Sequence, residues 1–192
     1  MNTATGAIHI KGSVLRARLA LVEELQPADG RARVLARLAD PDREVVESLL
    51  ASAWYPFALG SRLDEAIVAE IGGGRPEFFE RLGAASADKN LGPAGVHRSF
   101  LVPGDPQAFL AKAPLIYSYY YDQGWRAYER AGEREALLTT HEAETFSAPD
   151  CLTVVGWYRR ALELCGARQP QVVEEECRTR GGSVCRYRLR WS

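Results

Sequence analysis

The sequence predicts an α+β fold: an N-terminal helical region, then a small antiparallel sheet of two hairpins with an intervening helix. Three observations predict it. Apolar residues recur at steps of about three and four from Gly12 to Tyr120. After Gly124 the period changes to two. The two stretches of period two each fold about a turn signal, Gly132-Glu133-Arg134 and Gly181-Gly182, and a helical segment separates them.

Residues 1–7 are small and polar and read as a disordered tail, which leaves 8–192 as a single domain. Val14, Leu15, Leu19, Val22 and Leu25 predict a first helix; after Pro27 and Gly30, Val34, Leu35 and Leu38 carry a short second one. Asp40 with Pro41 behind it reads as N-cap and first helical residue of a helix to about Ser52. Trp54-Tyr55-Pro56-Phe57 reads as an aromatic bend. Leu59, Leu63, Ile67 and Ile71 mark a helix stopped by Gly72-Gly73-Gly74. Residues 76–91 are helical again, with Gly92-Pro93 as the stop. Asp105-Pro106 opens a helix carrying Phe109, Leu110, Ile116, Tyr117 and Tyr120, bent or restarted by Pro114. No strand is expected before Gly124. Residues 125–131 and 135–143 then form one hairpin, Ser147-x-x-Asp150 starts a helix over 151–165, and residues 171–178 and 183–191 form the second hairpin.

The 192 residues are 46% apolar, enough for a real core. With 24 Lys+Arg against 25 Asp+Glu, the chain lacks the electrostatic footprint of a nucleic-acid binder. No run approaches the ~20 apolar residues that span a bilayer. Arg16, Arg18, Glu23 and Glu24 break the first apolar stretch, so it reads as neither signal peptide nor membrane helix. The expected compartment is the cytoplasm, where four cysteines are thiols or metal ligands before they are disulfides.

The second hairpin carries the chemistry. Centred on Gly181, it opposes Cys177 to Cys185, Glu176 to Arg186, Glu175 to Tyr187, Glu174 to Arg188 and Val173 to Leu189. One face then holds the cysteines, Tyr187, Leu189 and Val173, and the other sets glutamates against arginines. Glu175 is the misfit, a carboxylate on the apolar face. Cys151, in the first turn of the preceding helix, can join Cys177 and Cys185. Cys165 lies roughly 21 Å further along that helix at about 1.5 Å per residue and reads as a core thiol. Structural Zn²⁺ takes four ligands, thiolates above all, with carboxylate acceptable, so three sulfurs and one glutamate meet its demand. Buried free thiols and a cross-strand disulfide are the alternatives.

Cys151-x4-Gly156-Trp157, then Val173-Glu174-Glu175-Glu176-Cys177, then Gly181-x3-Cys185-Arg186 resemble the C-terminal part of a 4-vinyl reductase domain. They are similar above all to the sensory domain of phenol-responsive transcriptional activators. The resemblance implies a zinc held by Cys151, Glu174, Cys177 and Cys185. Because Glu174 and Cys177 are three apart, a ligand at 174 needs a bulge between them; otherwise Glu175 completes the site. Nearly the whole chain also resembles a myxobacterial family of single-domain proteins, through Gly12-Ser13-Val14, Ser52-Ala53-Trp54-Tyr55-Pro56-Phe57, Asn90-Leu91 and the closing Cys-Arg-Tyr-Arg-Leu-Arg-Trp. The implied superfamily joins 4-vinyl reductase domains, haem–nitric-oxide sensors and vesicle-tethering subunits.

In the phenol-responsive sensors a histidine and a tryptophan hold an aromatic effector. The resemblance places these at His97 and Trp125, with Phe100, Phe109 and Tyr117 as apolar walls. Haem is not expected: the Tyr-x-Ser-x-Arg pattern of the haem relatives is absent. Tyr117, Tyr119, Tyr120 and Tyr121 read most simply as core and surface of one helix. No catalytic constellation stands out, so the expected function is a non-catalytic module that binds a small apolar or aromatic molecule. An adaptor with a filled core is the alternative, and an enzyme acting on a tetrapyrrole-like or aromatic substrate is a third reading. Without an output domain in this sequence, its signal would pass through a homodimer, with residues 14–38 as interface, or through a protein partner.

Overall fold

Prolines and side-chain caps set where most of the later helices begin. The computed structural model describes residues 8–144 and 146–192, and the expected tail at 1–7 lies outside the described residues. The chain runs β1 (His9–Lys11), α1 (Gly12–Leu25), α2 (Gly30–Ala36), α3 (Asp40–Glu47), β2 (Trp54–Pro56), α4 (Phe57–Glu70), α5 (Phe78–Leu91), α6 (Pro106–Leu110), α7 (Ala113–Tyr120), β3 (Trp125–Gly132), β4 (Glu135–His141), α8 (Ala148–Leu164), β5 (Gln171–Glu176) and β6 (Cys185–Arg190). This is the α+β order read from the sequence. The Asp105 carboxylate accepts the Ala108 N–H (2.9 Å) ahead of α6, and Pro114 marks the restart at α7. The Ser147 hydroxyl accepts the Asp150 N–H (3.2 Å) ahead of α8.

Three local expectations change. Ala39, not Asp40, is the N-cap of α3, and Asp40 is already helical, with Pro41 still in the first turn. α3 stops at Glu47, short of Ser52, where the Ser48 hydroxyl turns back to the Glu44 carbonyl (2.9 Å). Trp54-Tyr55-Pro56 is a strand, pairing antiparallel with β1 as His9↔Pro56, Ile10↔Tyr55 and Lys11↔Trp54. Three residues are too few to show alternation, which is why the segment reads as a bend.

The main sheet is antiparallel in the order β3-β4-β6-β5. Its inner face packs on α8 and α7 around Phe109, Leu138, Tyr158, Leu162, Tyr187 and Leu189. A second cluster, with Ile10, Leu15, Val22, Leu63, Ile67 and Phe79 at its centre, fills the N-terminal helices. α5 and α8 cross backbone to backbone between the clusters. A Cβ on Gly83 would stand 2.1 Å from the Thr153 carbonyl oxygen, and one on Gly156 would stand 1.9 Å from that of Glu80. Only glycine permits this approach.

The N-terminal helices spend their apolar side chains on that core: Leu15, Leu19, Val22, Val34, Leu35 and Leu38 are all buried within the chain. These side chains are spent within the chain, so they are not the surface that a dimer interface over residues 14–38 would use.

Candidate metal centre and ligand cavity

The end of the sheet nearest α8 gathers Cys151, Glu174, Cys177 and Cys185, with one ligand atom of each within 4.8 Å of the others. Cys151 Sγ lies 3.7 Å from Cys177 Sγ and 3.9 Å from Cys185 Sγ. A tetrahedron of thiolates at a Zn–S distance of about 2.3 Å has edges of about 3.8 Å, so the sulfurs stand at the spacing zinc needs.

A register shift brings the glutamate in. Beyond it β5 pairs Val172↔Leu189, Val173↔Arg188 and Glu174↔Tyr187, while Glu176 faces Arg186. Glu174 therefore takes the inner face and Glu175 the outer, where Arg188 donates to it. The same shift makes Val172 the buried valine and leaves Val173 exposed, the reverse of the unshifted pairing. Arg180 Nη1 donates to Glu174 Oε2 at 3.0 Å, whereas Oε1 is buried and has no partner. One oxygen is oriented and the other is left free, as a monodentate ligand requires.

The surroundings suit anionic sulfur. Arg178 N–H points at Cys185 Sγ (3.5 Å), Thr179 Oγ1 lies 2.9 Å from Cys177 Sγ, and Cys151 sits in the first turn of α8. A hydrogen bond from Cys151 brings the Cys185 thiol down to about 7, and the same bond followed by burial pushes Cys151 up. Burial also raises Cys177. Cys165 stands apart in the core, buried, its thiol pushed up to about 11 by burial.

Behind this centre lies a half-enclosed cavity of about 420 Å³ between α1, α5, α7 and α8. Its wall includes Val14, Tyr117, Tyr119, Tyr120, Tyr121, Trp157 and Tyr158, with His97 and Arg126 among its polar members. The four tyrosines read as core and surface are thus cavity wall. Tyr117 donates its hydroxyl to the Gln123 carbonyl (2.8 Å). His97 is 1% exposed and neither ring nitrogen has a partner; burial lowers its pKa and keeps the imidazole neutral.

The remaining expected ligand residues lie elsewhere. Trp125 is half exposed and stacks on His141 at 4.2 Å, outside the wall. Alternation in the edge strand β3 turns Trp125 out and Arg126 in. Phe109 is core, stacked on Trp157 at 6.1 Å. Phe100 lies behind the wall, parallel to His97 at 5.3 Å.

Between cavity and metal centre runs a buried charge network. Arg18 Nη2 donates to Asp150 Oδ1 at 2.8 Å, and Nη1 comes within 2.9 Å of Asp64 Oδ1, an ion pair without hydrogen-bond alignment. Tyr121 in the cavity wall donates to the Asp150 carboxylate at 2.9 Å. Asp150 immediately precedes Cys151, so α1, α4, the cavity and the metal centre meet in one cluster.

No protein-family model matches the sequence, and no curated protein matches it. The structure, however, is similar to those of H-NOX domains. An H-NOX protein from K. algicida, Fe(II) unliganded, superposes with a TM-score of 0.71 at 13% identity, covering 95% of this chain and 96% of that one. An H-NOX protein from S. oneidensis in the Fe(II)NO state gives 0.72 at 12%, covering 95% and 99%. A point mutant of T. Tengcongensis H-NOX gives 0.67 at 10%, covering 95% and 97%. The chain therefore has the α+β fold of these domains, and among the described residues no helix is long and apolar enough to cross a membrane.

Proposed function

We propose that residues 8–192 form a non-catalytic sensory domain that takes a small apolar or aromatic molecule into the cavity and carries a structural zinc. The cavity is the observation that carries this reading. At about 420 Å³ it falls within the range of small-molecule sites, and its wall sets five tyrosines and a tryptophan among aliphatic side chains and a few placed polar groups. An adaptor needs a filled core, which this space argues against. Zinc at Cys151, Glu174, Cys177 and Cys185 is supported by the sulfur spacing and the free Glu174 oxygen, and it would pin α8 to the second hairpin.

Haem is not part of the reading, although the similar structures include Fe(II) H-NOX proteins and one studied for haem distortion. The His97 nitrogens are buried among the rings of Phe100, Tyr119 and Tyr120, at centroid distances of 5.3, 5.1 and 5.3 Å. Of the two cations in the wall, Lys11 is turned onto Trp54 (4.1 Å), which leaves one for two propionates. The response would pass to a second copy or a protein partner in the cytoplasm.

The test is a titration with small phenols and other aromatics, read by fluorescence of Trp157 in the wall, on wild type and Ala17→Phe. Ala17 lines the cavity, so the added ring takes up part of it and obstructs the rest. Binding in wild type and its loss in the variant support the reading; no binding at millimolar concentration in wild type refutes it. Incubation with hemin should give no histidine-ligated Soret band.

A further inference from the structure

We infer that the ligand of this cavity is an organic acid whose carboxylate pairs with Arg126 while its apolar body occupies the aromatic space. The inference rests on the cavity being a ligand site and names the chemical class that site takes.

The two buried arginines keep different company. Arg18 is answered by Asp64 and Asp150, at 2.9 and 2.8 Å. Arg126 is 7% exposed, stands in the cavity wall, and has no carboxylate partner among the described residues. Its guanidinium lies over the rings of Tyr117, Tyr158 and Tyr187, at 5.0, 5.7 and 5.8 Å, and its Nε donates to Thr140 Oγ1 at 3.0 Å. Ring faces attract a cation but supply no counter-charge. A charge taken out of water is kept where a partner neutralises it, and here the chain provides none.

The anion must come from what enters the cavity. A guanidinium presents parallel N–H groups that match the two oxygens of a carboxylate. Tyr158 Oη, buried in the same wall beside the Arg126 guanidinium, is placed to donate to such a group. One guanidinium and one phenol suit a monoanion. His97, held neutral, adds no positive charge, so a dianion would be left uncompensated. The apolar lining then selects a hydrophobic body. Phenols, uncharged at neutral pH, would leave Arg126 as unpaired as it is without them.

The experiment titrates the full chain with two matched pairs, 2-naphthoate against methyl 2-naphthoate and decanoate against methyl decanoate, together with 2-naphthol. Wild type should bind at least one acid about tenfold or more tightly than its ester, the worth of one charge-assisted pair. Arg126→Met should abolish that preference and leave ester affinity within about twofold. Circular dichroism melts establish that the variant folds, and should it fail to, the acid-to-ester ratio in wild type decides alone. Equal or tighter binding of the esters or of 2-naphthol in wild type overturns the inference, as does a preference that survives Arg126→Met. If esters and naphthol bind and neither acid does, this inference falls and the ligand-site reading stands. If no compound binds, both fall.

Discussion

Glu174 stands opposite Tyr187 in the β5–β6 ladder, while its neighbour Glu175 turns to the other face and pairs with Arg188. That one-residue shift decides which carboxylate reaches the cysteines. Glu174→Gln should therefore lower zinc affinity by about 10–100-fold or more, and Glu175→Gln should leave it unchanged. Competition with a chromogenic chelator measures both.

Protein purified without a metal-affinity step should contain zinc near one per chain by elemental analysis. Cys177→Ser should lose the zinc and several kcal/mol of stability, since metal binding at such a site is folding free energy. Cys165→Ser, remote from the cluster, should keep full zinc content.

Gly156 is explained by packing. Its Cβ would fall 1.9 Å from a backbone oxygen of α5 that no rotamer change can move. Gly156→Ala should cost about 3 kcal/mol, at the upper end for overpacking, by chemical denaturation.

The Arg18 cluster predicts a pH dependence. Two buried carboxylates share one guanidinium, and burial holds Asp64 up, to about 8, against an ordinary 3.8. An acid raised on folding binds its proton more tightly in the native state. Its contribution is complete below pH 4 and is lost as pH rises through about 8. Thermal unfolding of wild type should show that decline between pH 4 and 8, and Asp64→Asn should flatten it. Arg18→Met, which removes the cation that both carboxylates face, should destabilise at neutral pH by about 3–5 kcal/mol.

Much of this architecture is written locally. Pro114, Ser147 and the Gly181 turn announce themselves through fixed dihedrals and side-chain caps, and the cysteine spacing follows from the hairpin they close. The register shift is legible only as a conflict, a glutamate on the apolar face that a bulge resolves. Arg126 and Arg18 leave no such trace. Arg18 meets Asp150 across 132 positions, a pairing with no period to betray it. Trp125 is placed at the ligand by resemblance alone, and on this edge strand the phase of alternation turns Arg126, not Trp125, to the cavity.

The most direct test is native mass spectrometry of wild type and Ala17→Phe after incubation with a panel of small aromatic and aliphatic molecules. The account predicts wild type carrying one zinc and one small molecule per chain, and the variant carrying zinc alone. Wild type with neither, or both proteins with the same small-molecule occupancy, would contradict it.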